Sequence, residues 1–164
     1  MNYLELAEQV SLFGGALLLF LETGALFGLF VPGGDSLVLA LGVLAGWGRL
    51  EPLPLWIALA TGTMLGQWSG YWWGVRLGPS LFRKVPPEKL ERAHRFLGRF
   101  GRWAVLAAPF VPVVRTLTPF LMGAGGTPWR VYFFWSAAAA WIWTGSLVAL
   151  GYHATTWVLG WLGL

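Results

Sequence analysis

The sequence predicts an all-α integral membrane protein. The predicted architecture is an inverted repeat of two re-entrant helical hairpins, each followed by a transmembrane helix, with a cytoplasmic amphipathic helix between the halves. Three observations lead there. The 164 residues are 57% hydrophobic and only 11% charged, whereas an ordinary soluble domain carries about 25% charged residues. Unbroken apolar stretches alternate with apolar stretches interrupted by proline and a charge. One phrase is also written twice: FVPGGDSL at residues 30–37 returns as FVPVVRTL at residues 110–117, with Asp35 replaced by Arg115. The length fits a single membrane domain over residues 1–164.

Residues 9–33 are apolar apart from Glu22, and residues 36–47 are apolar but too few to cross a bilayer, which takes about 20 residues. A chain that turns back at the PGGD break beside Pro32 makes these two stretches the legs of a hairpin. Residues 9–31 are also long enough to span, so a full crossing is the other reading of the first leg. Residues 53–75 carry no charge and are long enough to span. Within them Gly62, Gly66, Gly70 and Gly74 recur every four residues, with Gly78 beyond. That spacing predicts a helix face made for close helix packing in lipid. The first repeat is thus placed at about 9–78.

A basic linker follows, residues 79–102. Eight of the eleven Lys and Arg lie between Arg76 and Arg102. Glu88 and Glu91 would fall in a first helical turn, where a carboxylate suits the helix dipole. Leu90, Ala93, Leu97 and Phe100 then share one face, and Arg92, Arg95, Arg99 and Arg102 another. The pattern predicts an amphipathic helix on the membrane surface, with an ordinary solvated loop as the plainer reading. The positive-inside rule puts the loop 76–102 in the cytoplasm.

The second repeat is placed at about 103–152. Residues 103–126 are apolar but contain Pro109, Pro112, Arg115 and Pro119. Proline at that density breaks a helix, so Pro112 and Pro119 are expected to mark the second hairpin's turn, as Pro32 marks the first. Residues 131–152 form the second clean span, and 153–164 a short apolar tail. One span separates the hairpins, so the first enters from outside and the second from inside. Their tips, carrying Asp35 and Arg115, should meet near the midplane, where inverted-repeat transporters place substrate.

Composition narrows the chemistry. There is no Cys and only two His, His94 and His153, which leaves no metal-ligand cluster and no thiol chemistry. No Ser has a plausible His and Asp partner pattern, so an intramembrane hydrolase is disfavoured and no enzyme activity or cofactor is expected. The clustered basic charge points to a membrane surface, not to nucleic acid. Glu5 and Glu8 argue against a signal peptide.

The stretches LE…FVPGGDSLVLALG, GQWSGYWWGVRLG and PFVPVVRTLTPFLMGAG resemble the DedA/VTT family of membrane proteins, also called SNARE-associated Golgi proteins, over about residues 20–152. The resemblance implies paired re-entrant helices flanked by transmembrane helices. It also implies movement of lipids across a membrane. In bacterial members that means recycling of the undecaprenyl-phosphate carrier and dependence on the proton-motive force, which points to a plasma membrane. Glu22 matches the family's membrane glutamate, Asp35 its acidic residue after Pro-Gly, and Arg115 the second of two arginines. Three departures stand out: Pro109 where the first arginine is expected, Gln67 where an acidic residue often follows Gly66, and the extra Gly34.

A charge at the centre of a membrane helix costs about 2.5–3.5 kcal/mol on insertion scales, so such residues face a cavity or each other. Asp35 and Arg115 are therefore expected to pair, either as a fixed structural lock or as two halves of a transport site. In the second reading Arg115 holds a lipid phosphate, Gly33 and Gly34 let backbone N–H groups approach it, and Thr116 and Thr118 stand beside it. Asp35 or Glu22 would carry the coupling proton. Nine helical residues before Val31 place Glu22 about 14 Å from the hairpin tip, nearer the surface. The reading is a flippase for a phosphate-bearing lipid such as polyprenyl phosphate. Its rivals are a proton-coupled transporter of small solutes or ions and a membrane scaffold; a homo-oligomer is compatible with the glycine face.

Overall fold

The computed structural model describes residues 3–24, 33–78, 80, 83, 85–100 and 103–163. Among these residues the fold is helical without strands. The helices run α1 (Tyr3–Gly24), α2 (Gly34–Gly46), α3 (Pro52–Leu77), α4 (Pro87–Phe100), α5 (Trp103–Ala107), α6 (Pro112–Ala124) and α7 (Trp129–Leu162), with a 3-10 turn Ala108–Phe110 before α6. The expected break at Pro32 lies outside the described residues.

Each long helix is gripped by a short one from the other half of the chain. α2 packs along α7 where Gly42 meets Val148 and Gly151, and Gly46 meets Thr155. α6 packs along α3 where Gly74 meets Phe120, and Gly123 meets Tyr71 and Val75. Both pairs run parallel, because the contacts climb together in both members. α1 runs parallel to α3, with Gly62 against Ala16 and Gly66 against Phe20. α3 and α7 run antiparallel, tied by the Trp56 indole N–H to the Trp141 carbonyl (3.0 Å) and the Trp68 indole N–H to the Ser136 hydroxyl (3.2 Å). Hydrophobic transfer from water cannot drive contacts between helices in lipid, so close backbone approach at small residues is what holds them. A β-carbon at Gly62, Gly74 or Gly123 would run into a backbone carbonyl of the neighbouring helix.

The glycines of α3 do not serve one partner. Gly62 and Gly66 face α1, while Gly70 and Gly74 face Pro119 and Phe120 of α6. A four-residue step exceeds one helical turn of 3.6 residues, so the row winds around the helix and meets two neighbours in succession. Gly78 ends the helix at φ 48.

Two turns are near copies. Trp47 (φ −81, ψ 3) caps α2 and Gly125 (φ −79, ψ 1) caps α6. Gly48 and Gly126 follow, both at φ 71, a left-handed conformation that glycine adopts without steric cost. The next N–H groups, of Arg49 and Thr127, reach back to Leu44 and Met122. Each member of a pair lies 78 residues after its counterpart, as Pro112 of α6 lies after Gly34 of α2. The helices therefore match at 78, not at the 80 of the written phrase, and Arg115 stands in the register of Leu37. Pro112 itself opens α6, whereas α2 opens only after Gly33.

Proline acts differently from expectation in the second half. The break falls at Val111, which is extended (φ −120, ψ 102), because the proline after it disfavours the helical region. Pro112 then occupies the first position of α6, where its missing N–H costs nothing. Pro119 sits inside α6 and does not break it; its ring packs on Gly70.

α7 runs on through Leu162, so residues 153–162 continue the long helix and are not a separate tail. Among the described residues α7 is the one helix both long and apolar enough to cross a bilayer by length and composition. At 26 residues α3 has the length, rising about 39 Å, but it is less apolar. Its Thr63 and Gln67 are turned inward and buried.

α4 is amphipathic as expected, but its apolar face is not left for lipid. Leu90, Ala93 and Leu97 pack with Val113, Leu117 and Leu121 of α6, leaving Arg92, Arg95 and His94 exposed. The main core lies where α1, α2, α3 and α7 cross, around Leu19, Val38, Leu41, Leu55, Leu59 and Trp143.

Candidate functional site

Arg115 lies on the first turn of α6, its N–H donating to the Val111 carbonyl at 2.8 Å. The side chain is 6% exposed and holds two carboxylates at once. Nη1 donates to Asp35 Oδ1 at 2.5 Å and Nη2 to Glu22 Oε1 at 2.8 Å. The guanidinium carbon stands 4.6 Å from the centroid of the Trp143 ring on α7. Four helices thus meet at one cation: α1 through Glu22, α2 through Asp35, α6 through Arg115 and α7 through Trp143. The planar fork of arginine suits two acceptors at once, and the desolvated indole face adds a cation–π attraction.

Glu22 is not remote from Arg115. On α1, it accepts the Arg115 Nη2 hydrogen bond directly. The hairpin tip at Val31, from which the sequence measures its distance, lies outside the described residues. Gly34 makes the approach feasible, since a β-carbon there would collide with the Glu22 carboxylate.

The three charges sum to −1 and are unequally covered. The Glu22 side chain is 13% exposed, that of Asp35 46%. Beside Asp35, Gly33 is exposed with nothing near its missing side chain. The site therefore opens on the Asp35 side. Arg115 opposes its own helix dipole, since it begins α6, where an anion is favoured. It is held there by its two carboxylate partners.

Among the other expected site residues, Thr118 is buried and donates to the Val114 carbonyl at 2.7 Å, and Thr116 is buried on the same helix. His94 and His153 are exposed on α4 and α7, away from the ion triad. No group of three or more metal-ligating side chains occurs among the described residues. Trp143 escaped the sequence reading: it is one of 12 Trp, and no local pattern separates it from those at the surface.

Residues 30–153 match the family model of the VTT domain. The chain belongs to this family, the DedA proteins. It is 34% identical over 139 residues to the inner membrane protein YghB of Escherichia coli K12, covering 82% of this chain and 63% of YghB. It is 32% identical over 140 residues to the inner membrane protein YqjA of the same strain, with the same coverage of each chain. It is also 32% identical over 140 residues to an uncharacterised membrane protein of Mycobacterium leprae, covering 82% of this chain and 62% of that one. The chain thus spans a little over three-fifths of the length of these relatives. No solved structure matches it. The VTT match begins at Phe30, so Glu22 lies outside it, yet the fold brings Glu22 onto Arg115 within the domain.

Proposed function

We propose that this VTT-domain protein is a multi-pass plasma-membrane flippase for a phosphate-bearing lipid such as polyprenyl phosphate, with the α4 loop on the cytoplasmic side. The observation that carries the reading is the Arg115 guanidinium held between Glu22 and Asp35 at the first turn of α6. A dianionic headgroup is a better partner for that place than either carboxylate. It would satisfy the fork of Arg115 and also lie at a helix N-terminus, where anions are stabilised. Asp35, half exposed and on the open side, is the partner to be displaced. A proton taken up by Asp35 or Glu22 eases that exchange and links it to the proton-motive force.

The crossing pattern supports an inverted repeat of re-entrant hairpins. α1 descends parallel to α3 and reaches Gly66, near the middle of α3, at Gly24; α2 returns along α7 to the Gly48 turn. α5 and the 3-10 turn lead to α6, which returns along α3 to the Gly126 turn. The charges of the two halves meet at Arg115. The inner-membrane names of YghB and YqjA support the location.

The test is transbilayer movement of undecaprenyl phosphate in liposomes, with wild type, Arg115→Lys and Arg115→Ala at two pH values. Arg115→Lys keeps the charge but loses the two-pronged geometry, and is expected to cut movement by about tenfold or more; one hydrogen bond to a charged group is worth about 1.5–3 kcal/mol. Asp35→Asn is expected to weaken the response to pH. Wild-type protein that is folded and moves no phosphate lipid would sink the proposal.

A further inference from the structure

Arg115 of the ion triad also lines a second cleft. It is closed by α3, the α5 leg with its 3-10 turn, α6 and α7, and lined by Gln67, Val105, Pro109, Arg115, Thr118 and Tyr132. It is packed too tightly to admit a water molecule. Tyr132 is 1% exposed and its hydroxyl has no hydrogen-bond partner among the described residues. Ser136 stands one turn further along α7, where its hydroxyl donates to the Phe133 carbonyl and accepts the Trp68 indole N–H. Gln67, 4% exposed, presents an amide to the same space.

A buried hydroxyl left unpaired costs about 1–3 kcal/mol and is rare in folded proteins. Tyrosine at this place exacts that cost with no return in the closed structure, where phenylalanine would fill the same volume. Arg115 borders both spaces: its two Nη atoms serve the carboxylates on one side while the side chain lines the cleft on the other. One wall of the cleft is the short leg Trp103–Phe110, through Val105, Ala108 and Pro109; it ends in a 3-10 turn and the extended Val111.

We propose that this cleft is the second station of the headgroup path. When the Trp103–Phe110 leg shifts outward, the Tyr132 hydroxyl and the Gln67 amide donate to phosphate oxygens while Arg115 keeps hold of the same group. The phosphate thus passes from the Asp35 side to the Tyr132 side without leaving its cation. No covalent step is involved. This inference rests on the flippase reading and adds to it the residues of the second side.

The experiment measures two quantities on the purified full chain: melting temperature in detergent, with and without undecaprenyl phosphate, and movement of that lipid in liposomes. Inorganic phosphate is run in parallel, to separate recognition of the bare anion from recognition of the lipid. The variants are Tyr132→Phe, Gln67→Leu and Arg115→Ala. Tyr132→Phe is expected to melt higher than wild type without ligand, because the unpaired hydroxyl is gone. It is also expected to bind and move the phosphate lipid about tenfold less well, as does Gln67→Leu. A role in packing alone predicts the opposite pairing, a lower melting temperature with normal transport, and that result overturns the inference. So does normal binding and movement in both Tyr132→Phe and Gln67→Leu; if Arg115→Ala fails in the same assay, the exchange at the triad still stands. Wild-type protein that neither binds nor moves any phosphate lipid overturns both.

Discussion

Gly34 stands against Glu22 so closely that a β-carbon would lie 2.9 Å from the carboxyl carbon and 3.0 Å from Oε1. The glycine is thus the space that lets the end of α1 deliver its carboxylate to Arg115. Gly34→Ala is expected to push Glu22 off the guanidinium while leaving the helices assembled. Overpacking of this kind costs about 1–3 kcal/mol. Melting temperature and lipid movement should both fall, and shortening the partner with Glu22→Asp in the same chain should restore part of each. Full activity in Gly34→Ala would show that the Glu22 contact is dispensable.

The seam between α3 and α6 is sensitive to a single methyl. Gly74→Ala drives a β-carbon into the Phe120 carbonyl, with backbone on both sides and nothing flexible to yield. Loss of about 1–3 kcal/mol is expected, read as a lower melting temperature and a broadened size-exclusion peak. Gly14→Ala on α1 is the control. Nothing lies within 4 Å of its missing side chain, so the better helix propensity of alanine should leave stability equal or slightly higher.

α4 is held by its apolar face, and Ala93 is fully buried there. Ala93→Glu places a charge against Leu117 and Leu121 and should release the helix. Limited proteolysis should then cut residues 85–100 many times faster than in wild type. Arg92→Glu, on the exposed face, should change stability by no more than about 0.5 kcal/mol. Equal cleavage rates in the two variants would mean that α4 is not anchored on α6.

Trp143 is the floor of the cation. Trp143→Leu removes the ring beneath Arg115, an attraction worth about 2 kcal/mol when desolvated. Trp143→Phe keeps an aromatic face and should lose about half as much. The two melting temperatures, compared in wild type and in Arg115→Ala, isolate the coupling. If the Trp143→Leu penalty is the same in both backgrounds, the ring and the cation do not interact.

The pairing of Asp35 with Arg115 was legible because charges in an apolar chain must find each other, and no other basic residue lies in the second interrupted stretch. Glu22 was misplaced because its position was measured along its own helix, whereas its contact with Arg115 lies across helices, from α1 to α6. The written phrase misled in the other direction: its 80-residue repeat is real in the letters, but the helices pair at 78. The α3 glycines were found by spacing, but spacing does not say that a four-residue step drifts from α1 to α6. The α4 pattern reveals an apolar face without revealing what covers it, since lipid and Leu117 leave the same trace. Gln67 showed only as a departure from the family pattern, and Tyr132 left no trace at all, because an unpaired buried hydroxyl exists only in three dimensions.

The crosswise grip of short helices on long ones has a consequence for biosynthesis. α2 is translated well before α7, so the face carrying Gly42 and Gly46 must wait in the insertion machinery for a partner that does not yet exist. α6, by contrast, finds α3 already in place. Neither half is a complete packing unit, so a gene split between α3 and α4 should yield two fragments that are each degraded alone and that rescue one another when made together.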